Sequence, residues 1–173
     1  RRVLFRSEDG DEIVMDGCIM PNYKTVPVNA TANIYERIRA NLDKHNNPTM
    51  MHRWRFNLKT GKTTEERLDN RVLEFGMFNQ QYAGKPYRYA YTMALPKGGD
   101  PSFVSNTMLY KHDLGAGMRQ VHDFGEGRIP GEFVFVEKAN ARAEDDGWLM
   151  GYVVDMDSQT TDLVILDAAK FDG

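Results

Sequence analysis

Apolar and polar residues alternate with a period of two through most of the chain, which predicts a protein built mainly from β-strands. Residues 50–58 show the pattern clearly, since Met50, Trp54 and Leu58 fall on one side while Arg53 and Arg55 fall on the other. The other predicted strands, rich in Val, Phe, Tyr and Leu and bounded by turn residues, are residues 12–20, 87–95, 106–114, 131–138, 148–156 and 161–168.

One segment has helical rather than strand periodicity. Residues 30–45 carry isoleucine or leucine at steps of four, which is the apolar stripe of an amphipathic helix. Thr31 or Asn33 is suited to cap its start. We expect this single short helix to lie on top of a scaffold of strands.

A weak internal repeat organises the strands. Three stretches share the order strand, short polar turn, second strand, with turns centred near Gly61, Gly115 and Ser158, and each therefore predicts a hairpin. Spacings of roughly 40–55 residues between hairpins favour the four-stranded blades of a β-propeller. A β-sandwich is the structural alternative, although its strands usually follow one another at closer and more regular intervals.

Composition limits the function classes. A hydrophobic content of 41% and a charged content of 27% are ordinary for one globular domain, and a net charge of -3 argues against nucleic acid as a partner. The single cysteine, Cys18, cannot form a disulfide framework or a zinc cluster, and we expect it to be a small buried residue. No apolar run reaches the ~18 residues that span a bilayer and no signal-peptide pattern is present, so we expect a cytoplasmic location.

Both ends of the sequence are unusual. Residues 1–7, RRVLFRS, match the translation of a common sequencing adapter, and we interpret them as a non-native scar. The last residues follow a strand-like run without a closing element. We therefore expect residues 8–173 to be a fragment of a longer protein; the alternative is a complete small domain with ragged ends.

The histidines give little sign of a metal site. His45, His52, His112 and His122 show none of the close spacings of local metal motifs. We expect His52, on the apolar side of its strand, to be a satisfied core or rim residue. His112 and His122 flank a hairpin turn, and a cross-strand metal pair is the less favoured alternative. Nucleophile-elbow, P-loop and dinucleotide-binding patterns are absent from the sequence.

Two carboxylates stand out by their position. Glu74 lies within the apolar stretch VLEFGMFN, and Glu144 opens EDDGWLMGYVV. A buried carboxylate needs a partner, because an unpaired buried charge is costly. On an inner propeller strand it could accept the second ring N–H of a metal-bound imidazole. We expect Glu144 to face inward, and Asp145 and Asp146 to shape the turn and contact water.

At these residues the chain resembles the carotenoid oxygenase family, which includes carotenoid- and stilbene-cleaving dioxygenases and the visual-cycle retinoid isomerase. The matching stretches occur in the family's order and cover most of the chain from Glu8 onward. They are EDGDEIVMDGC (8–18), RWRFNLKTG (53–61), LEFGMFNQQYAGKPYRYAY (73–91), YKHDLGAGMRQVHDFGEGRIPGEFVFVEK (110–138) and AEDDGWLMGYVVDMDSQTTDLVILDA (143–168).

The resemblance implies an all-β fold, here about three blades of a seven-bladed propeller from the C-terminal half of the parent. It also implies one Fe(II) on the propeller axis held by four histidines, and three glutamates that accept the other ring N–H of those imidazoles. Such enzymes use O2 to cleave a conjugated double bond of a small hydrophobic substrate into two carbonyl products.

Carried over by motif, Glu74 and Glu144 match two of these glutamates. Gly76 and Met77 stand where the family usually has Pro-Arg, which loosens the turn after Glu74. None of this chain's histidines matches a ligand position. On this interpretation the chain alone binds no iron and is inactive.

Two other interpretations stay open at this point. In a non-enzymatic propeller that serves as a binding platform, Glu74 and Glu144 would be rim residues. In a metal-dependent hydrolase or lactonase of propeller form, Asp145 or Asp146 could supply a ligand.

Overall fold

The computed structural model describes residues 3–19, 49–71, 73–94 and 108–171, together with positions 31, 33, 34 and 36. These residues form eleven strands and one 3-10 turn, Gln80–Tyr82. The strands are β1 (Val3–Asp9), β2 (Glu12–Ile19), β3 (Met50–Asn57), β4 (Thr63–Arg67), β5 (Leu73–Met77), β6 (Tyr89–Ala94), β7 (Met108–Asp113), β8 (Met118–Asp123), β9 (Arg128–Glu137), β10 (Gly147–Asp155) and β11 (Thr160–Asp167).

The strands form three consecutive antiparallel sheets. The first sheet has the order β1-β2-β3-β4, the second β5-β6-β7-β8, and the third, among the described residues, β9-β10-β11. Within each sheet, every strand pairs with the strands next to it in the chain, which is the up-and-down order of a propeller blade. The predicted all-β class and the estimate of about three blades are therefore confirmed.

The three predicted hairpins are also present. They join β3 to β4, β7 to β8, and β10 to β11. Each turn contains a residue with positive φ: Gly61 at 68°, Gly117 at 64° and Gln159 at 56°. Glycine adopts this conformation without steric cost, which explains two of the three positions.

The structure adds strands that the pattern did not single out. Strand β5 is short, and its pairing with β6 shifts register between Glu74 and Met77. Strand β1 pairs with β2 from Val3 to Asp9, so part of the suspected scar lies in a strand. The foreign origin of residues 1–7 stays a prediction.

The predicted helix at 30–45 lies mostly outside the described residues. Within it, Ile34 and Glu36 are helical. The Asn33 side chain accepts the Glu36 N–H at 3.0 Å, and the Glu36 carboxylate accepts the Asn33 N–H at 2.9 Å. This reciprocal pair is a capping arrangement, and Asn33 was one of the two predicted caps. In the part of the chain that the structure describes, no helix has the length and hydrophobicity needed to span a bilayer.

The second sheet is covered on both faces. One buried cluster joins it to the third sheet, with Tyr91 and Leu109 against Phe133 and Leu149. The other cluster joins it to the first sheet, with Tyr110 near Met51. Neighbouring positions along a strand point to opposite faces, so alternation in β6 and β7 supplies both clusters.

Strand β5 lies where the three sheets meet. It is an edge strand of the second sheet, and it contacts β2 and β3 of the first sheet and β9 of the third. A side chain on β5 is therefore surrounded by more than its own sheet. Glu74 belongs to β5 and therefore lies on the strand that contacts all three sheets.

Candidate functional site

The acidic turn, residues 143–147, ends the connection from β9 to β10. Its main chain is closed by hydrogen bonds from the Asp146 N–H to the Ala143 carbonyl (3.1 Å) and from the Gly147 N–H to the Asp145 carbonyl (2.9 Å). Gly147 has no space for a side chain, because an added Cβ would lie 2.2 Å from the Phe135 ring and 2.8 Å from the Val136 carbonyl oxygen. The turn is thus fixed at the start of a tightly packed strand.

Glu144 faces the second sheet. Its Oε1 accepts the main-chain N–H groups of Arg88 (2.8 Å) and Tyr89 (2.7 Å), and its Oε2 lies 2.9 Å from the Arg88 nitrogen. The side chain is half-buried, and burial raises the pKa of this carboxyl although the two N–H groups act to lower it. The carboxylate is therefore oriented by the main chain at the start of β6.

The Arg88 side chain makes its hydrogen bonds with a different carboxylate. Its guanidinium makes a bidentate pair with Asp113, at 2.8 and 2.6 Å. A carboxylate has about four lone-pair sites. Counted over the residues that the structure describes, the main-chain donors leave Glu144 with acceptor capacity for one further N–H group, which is what the predicted role requires.

The other two acids of the turn contact lysines. Asp145 Oδ2 accepts from Lys111 Nζ at 2.6 Å, and its side chain is only 16% exposed. The ion pair with Lys111 was not predicted, whereas the predicted role of Asp145 in the turn is confirmed, because its carbonyl accepts the Gly147 N–H. Asp146 accepts the Arg142 N–H at 3.2 Å and lies 3.4 Å from Lys138 Nζ, so its predicted role in the turn is confirmed.

Asn79 connects the acidic turn to the segment that follows β5. Its Nδ2 donates to the Glu144 carbonyl oxygen at 3.1 Å and to Glu137 Oε2 at 3.3 Å. Its Oδ1 accepts the Gln81 N–H at 3.0 Å and so begins the 3-10 turn. Glu74 lies five residues before Asn79 in the same stretch. The structure thus brings the two segments that carry the candidate glutamates into direct contact.

Glu74 is half-buried in β5, opposite Met93 of β6. It is close enough to Cys18 of the first sheet to affect its ionisation. Burial raises the pKa of the Cys18 thiol to about 12, and the negative charge of Glu74 adds to the shift. Cys18 is buried and reduced, so the prediction of a small core residue is confirmed.

His52 is a core residue, as predicted, but it is only partly satisfied. Its Nδ1 lies 2.7 Å from Glu65 Oε1, whereas the buried Nε2 has no hydrogen-bond partner among the described residues. His45 lies outside the described residues.

His112 and His122 do not form a metal pair. In the register of β7 and β8, His112 is opposite Arg119, whereas His122 is opposite Leu109. Leu109 and His112 are three positions apart on one strand, so the two imidazoles lie on opposite faces of the sheet. His112 Nε2 lies 2.8 Å from Thr92 Oγ1, and burial lowers the pKa of His112 to about 4.

The residues that the structure describes contain no group of three or more His, Cys, Asp or Glu side chains placed to hold a metal ion. They do not supply a ligand set for iron. They do include a carboxylate, that of Glu144, which main-chain N–H groups orient as a hydrogen-bond acceptor.

Sequence reasoning missed a buried charge cluster between the first and second sheets. Asp16 is fully buried; Arg53 donates to both of its oxygens at 2.8 Å, and the Tyr87 hydroxyl donates to Oδ2. The available signal was Asp16 itself, which shares the face of Val14 and Cys18 in β2. Lys111, placed within MLYKHDL in β7, is the signal for a second buried charge, which pairs with Asp145 between the second and third sheets.

Comparison with known proteins gives consistent matches over the chain. The family model described as "Retinal pigment epithelial membrane protein" matches residues 5–173. The carotenoid cleavage oxygenase of Mycobacterium tuberculosis is 37% identical over 140 residues, covering 79% of this chain and 28% of that protein. The carotenoid 9,10(9',10')-cleavage dioxygenase 1 of Arabidopsis thaliana is 28% identical over 174 residues, covering 93% and 30%.

A solved structure shows the same fold. The crystal structure of the cobalt-substituted apocarotenoid oxygenase of Synechocystis superposes with a TM-score of 0.79 at 26% identity, covering 98% of this chain and 34% of that one. The chain therefore spans about a third of the length of the proteins that it matches.

Proposed function

The chain belongs to the family of the retinal pigment epithelial membrane protein and the carotenoid cleavage oxygenases, and from this we propose that it is part of a non-haem Fe(II) dioxygenase that cleaves a conjugated carbon–carbon double bond. The reaction would consume O2 and give two carbonyl products. The similar proteins named above act on carotenoids or apocarotenoids. A hydrophobic, conjugated substrate of carotenoid, apocarotenoid or stilbene type is therefore the proposed class.

The observation that carries the proposal is the environment of Glu144. Two main-chain N–H groups orient its half-buried carboxylate, and acceptor capacity remains. We assign to Glu144 and Glu74 the role of accepting the free ring N–H of two metal-bound imidazoles, which would fix the tautomer and orientation of each ring. When bound, the iron would supply the activation of O2. The imidazoles would come from parts of the longer protein outside this sequence.

The outer face of the third sheet supports the proposal that further sheets of the propeller complete the protein. Several large apolar side chains on this face are exposed: Val134, Val136, Trp148, Tyr152, Val154, Leu163 and Ile165. Apolar surface of this extent, on a face opposite to the core, indicates contact with another element. In a propeller the next blade covers such a face.

The two alternative functions have less support. Asp145, one of the ligands offered for a metal-dependent hydrolase, is paired with the buried Lys111. Asp146, the other, lies 3.4 Å from Lys138. A binding platform would not require the half-buried, main-chain-oriented carboxylate at Glu144.

The test is a cleavage assay on the full-length protein that contains this sequence. We expect purified protein to contain iron and to convert a carotenoid, an apocarotenoid or a stilbene into two carbonyl products, with equimolar consumption of O2. Product identity is checked by mass spectrometry and O2 by electrode, with chelator-treated protein as the control. Iron-loaded protein that leaves all three substrate classes intact would contradict the proposal.

A further inference from the structure

Lys111 is a buried cation in the middle of β7. Its side chain is 4% exposed, and Nζ donates to Asp145 Oδ2 at 2.6 Å and to the Ala168 carbonyl oxygen at 2.7 Å. The ammonium also lies 4.5 Å from the centre of the Tyr89 ring. Burial of an ammonium is costly unless it is paired and hydrogen-bonded, and here a carboxylate, a carbonyl and an aromatic face provide that compensation.

Two of these contacts involve residues next to Glu144, either along the chain or through a hydrogen bond. Asp145 directly follows Glu144 in the acidic turn, and Tyr89 supplies the N–H that binds Glu144 Oε1 at 2.7 Å. One ammonium therefore touches both the residue after Glu144 and the residue that orients its carboxylate. The third contact, at Ala168, fixes the end of β11, where the Ala168 N–H donates to the Gly147 carbonyl at 3.0 Å. The turn is thus held from the second sheet and from the end of the third.

We propose that Lys111 is a positioning residue: it locks the acidic turn onto the second sheet and thereby keeps the Glu144 carboxylate aimed where the main-chain N–H groups of Arg88 and Tyr89 place it. The effect on turnover rests on the proposed function, whereas the effect on the geometry of the turn does not. The competing explanation is that Lys111 contributes only to stability, as any buried ion pair does when one partner is removed.

The primary test replaces Lys111 by methionine in the full-length protein and measures amide hydrogen exchange at Arg88 and Tyr89. Loss of the ammonium releases the turn, so we expect these two amides to exchange about tenfold faster. The amides of β2 and β3 should keep their exchange rates, because the opening is local. Lys59→Met is the matched control, because Lys59 also pairs with an aspartate at 2.7 Å but both side chains are exposed. It should leave exchange at Arg88 and Tyr89 unchanged.

A double variant separates positioning from stability. Lys111→Met with Asp145→Asn removes the unpaired carboxylate and should restore the melting temperature close to that of the wild type. If Lys111 positions Glu144, exchange at Arg88 and Tyr89 stays about tenfold faster and kcat falls about tenfold with KM unchanged, at the lower end of effects from groups that orient metal ligands.

The outcomes distinguish the two explanations. A double variant with wild-type exchange and wild-type kcat, or one that fails to fold, would make Lys111 a residue of stability alone and would overturn the proposal. Wild-type protein that lacks oxygenase activity, but loses amide protection on Lys111→Met, would refute the proposed function and leave the role of Lys111 intact. Active protein whose exchange does not respond to Lys111→Met would refute only the present inference.

Discussion

Glu144→Gln in the full-length protein is expected to lower iron content or turnover by about 10–100-fold, the range typical of groups that orient metal ligands. Glutamine keeps the shape of the side chain but replaces one carboxylate oxygen by an NH2 group, which cannot accept a hydrogen bond. The main-chain N–H groups of Arg88 and Tyr89 would retain the remaining oxygen. The donor NH2 would then face the imidazole N–H, so the metal-bound ring would lose its acceptor.

Iron content is measured by mass spectrometry of the purified variant, and kcat and KM by product formation. Glu126→Gln is the control, because Glu126 is an exposed glutamate in the loop before β9 and has no place in the site. Glu74→Gln should change activity in the same direction as Glu144→Gln. Iron content and rate equal to those of the wild type in both variants would remove the assigned role from these carboxylates.

The largest effect on stability is expected from Asp16→Ala, with a loss of about 3–5 kcal/mol in the free energy of unfolding, the range for breaking a buried ion pair. Asp16 is fully buried and accepts from both Arg53 and Tyr87. Burial raises the pKa of Asp16 even though the Arg53 hydrogen bonds lower it, whereas the hydrogen bond to Asp16 raises the pKa of Arg53. The cost of the variant arises because Arg53 is left charged and unpaired.

Urea unfolding of the full-length protein measures this loss. Asp11→Ala is the matched control, since Asp11 and Lys59 form an exposed pair at 2.7 Å, and its loss should cost at most about 1 kcal/mol. Asp16→Leu combined with Arg53→Met should recover most of the stability, because no buried charge is then unpaired. Equal losses for Asp16→Ala and Asp11→Ala would contradict this account of the cluster.

The sequence predicts those strands in which one face is buried and the other is not. Strand β3 and the hairpins β7–β8 and β10–β11 follow from alternation and turn residues. Strand β4, TTEER, is exposed along its whole length, so it has no apolar face and only its place in a hairpin predicted it. Strand β5 has only five residues, LEFGM, so its alternation is too short to predict a strand by itself.

The candidate site could be predicted only in part. Glu74 and Glu144 were identified by their unusual positions and by the family resemblance. Their partners could not be identified, because Tyr89 and Lys111 lie 55 and 34 residues before the acids that they bind. Such contacts depend on how one sheet packs against the next, and spacing along the chain does not specify it. The ion pair of Asp145 with Lys111 could not be predicted either, because a triplet of acids before a glycine is typical of a solvated turn.

The most direct measurement of the central claim is a crystal structure of the full-length, iron-loaded protein. The account predicts that Glu144 and Glu74 each accept a hydrogen bond, at about 2.7–3.2 Å, from the free ring nitrogen of an imidazole whose other nitrogen binds the metal. Both carboxylates pointing into solvent, with no metal-bound imidazole within hydrogen-bonding distance, would contradict it.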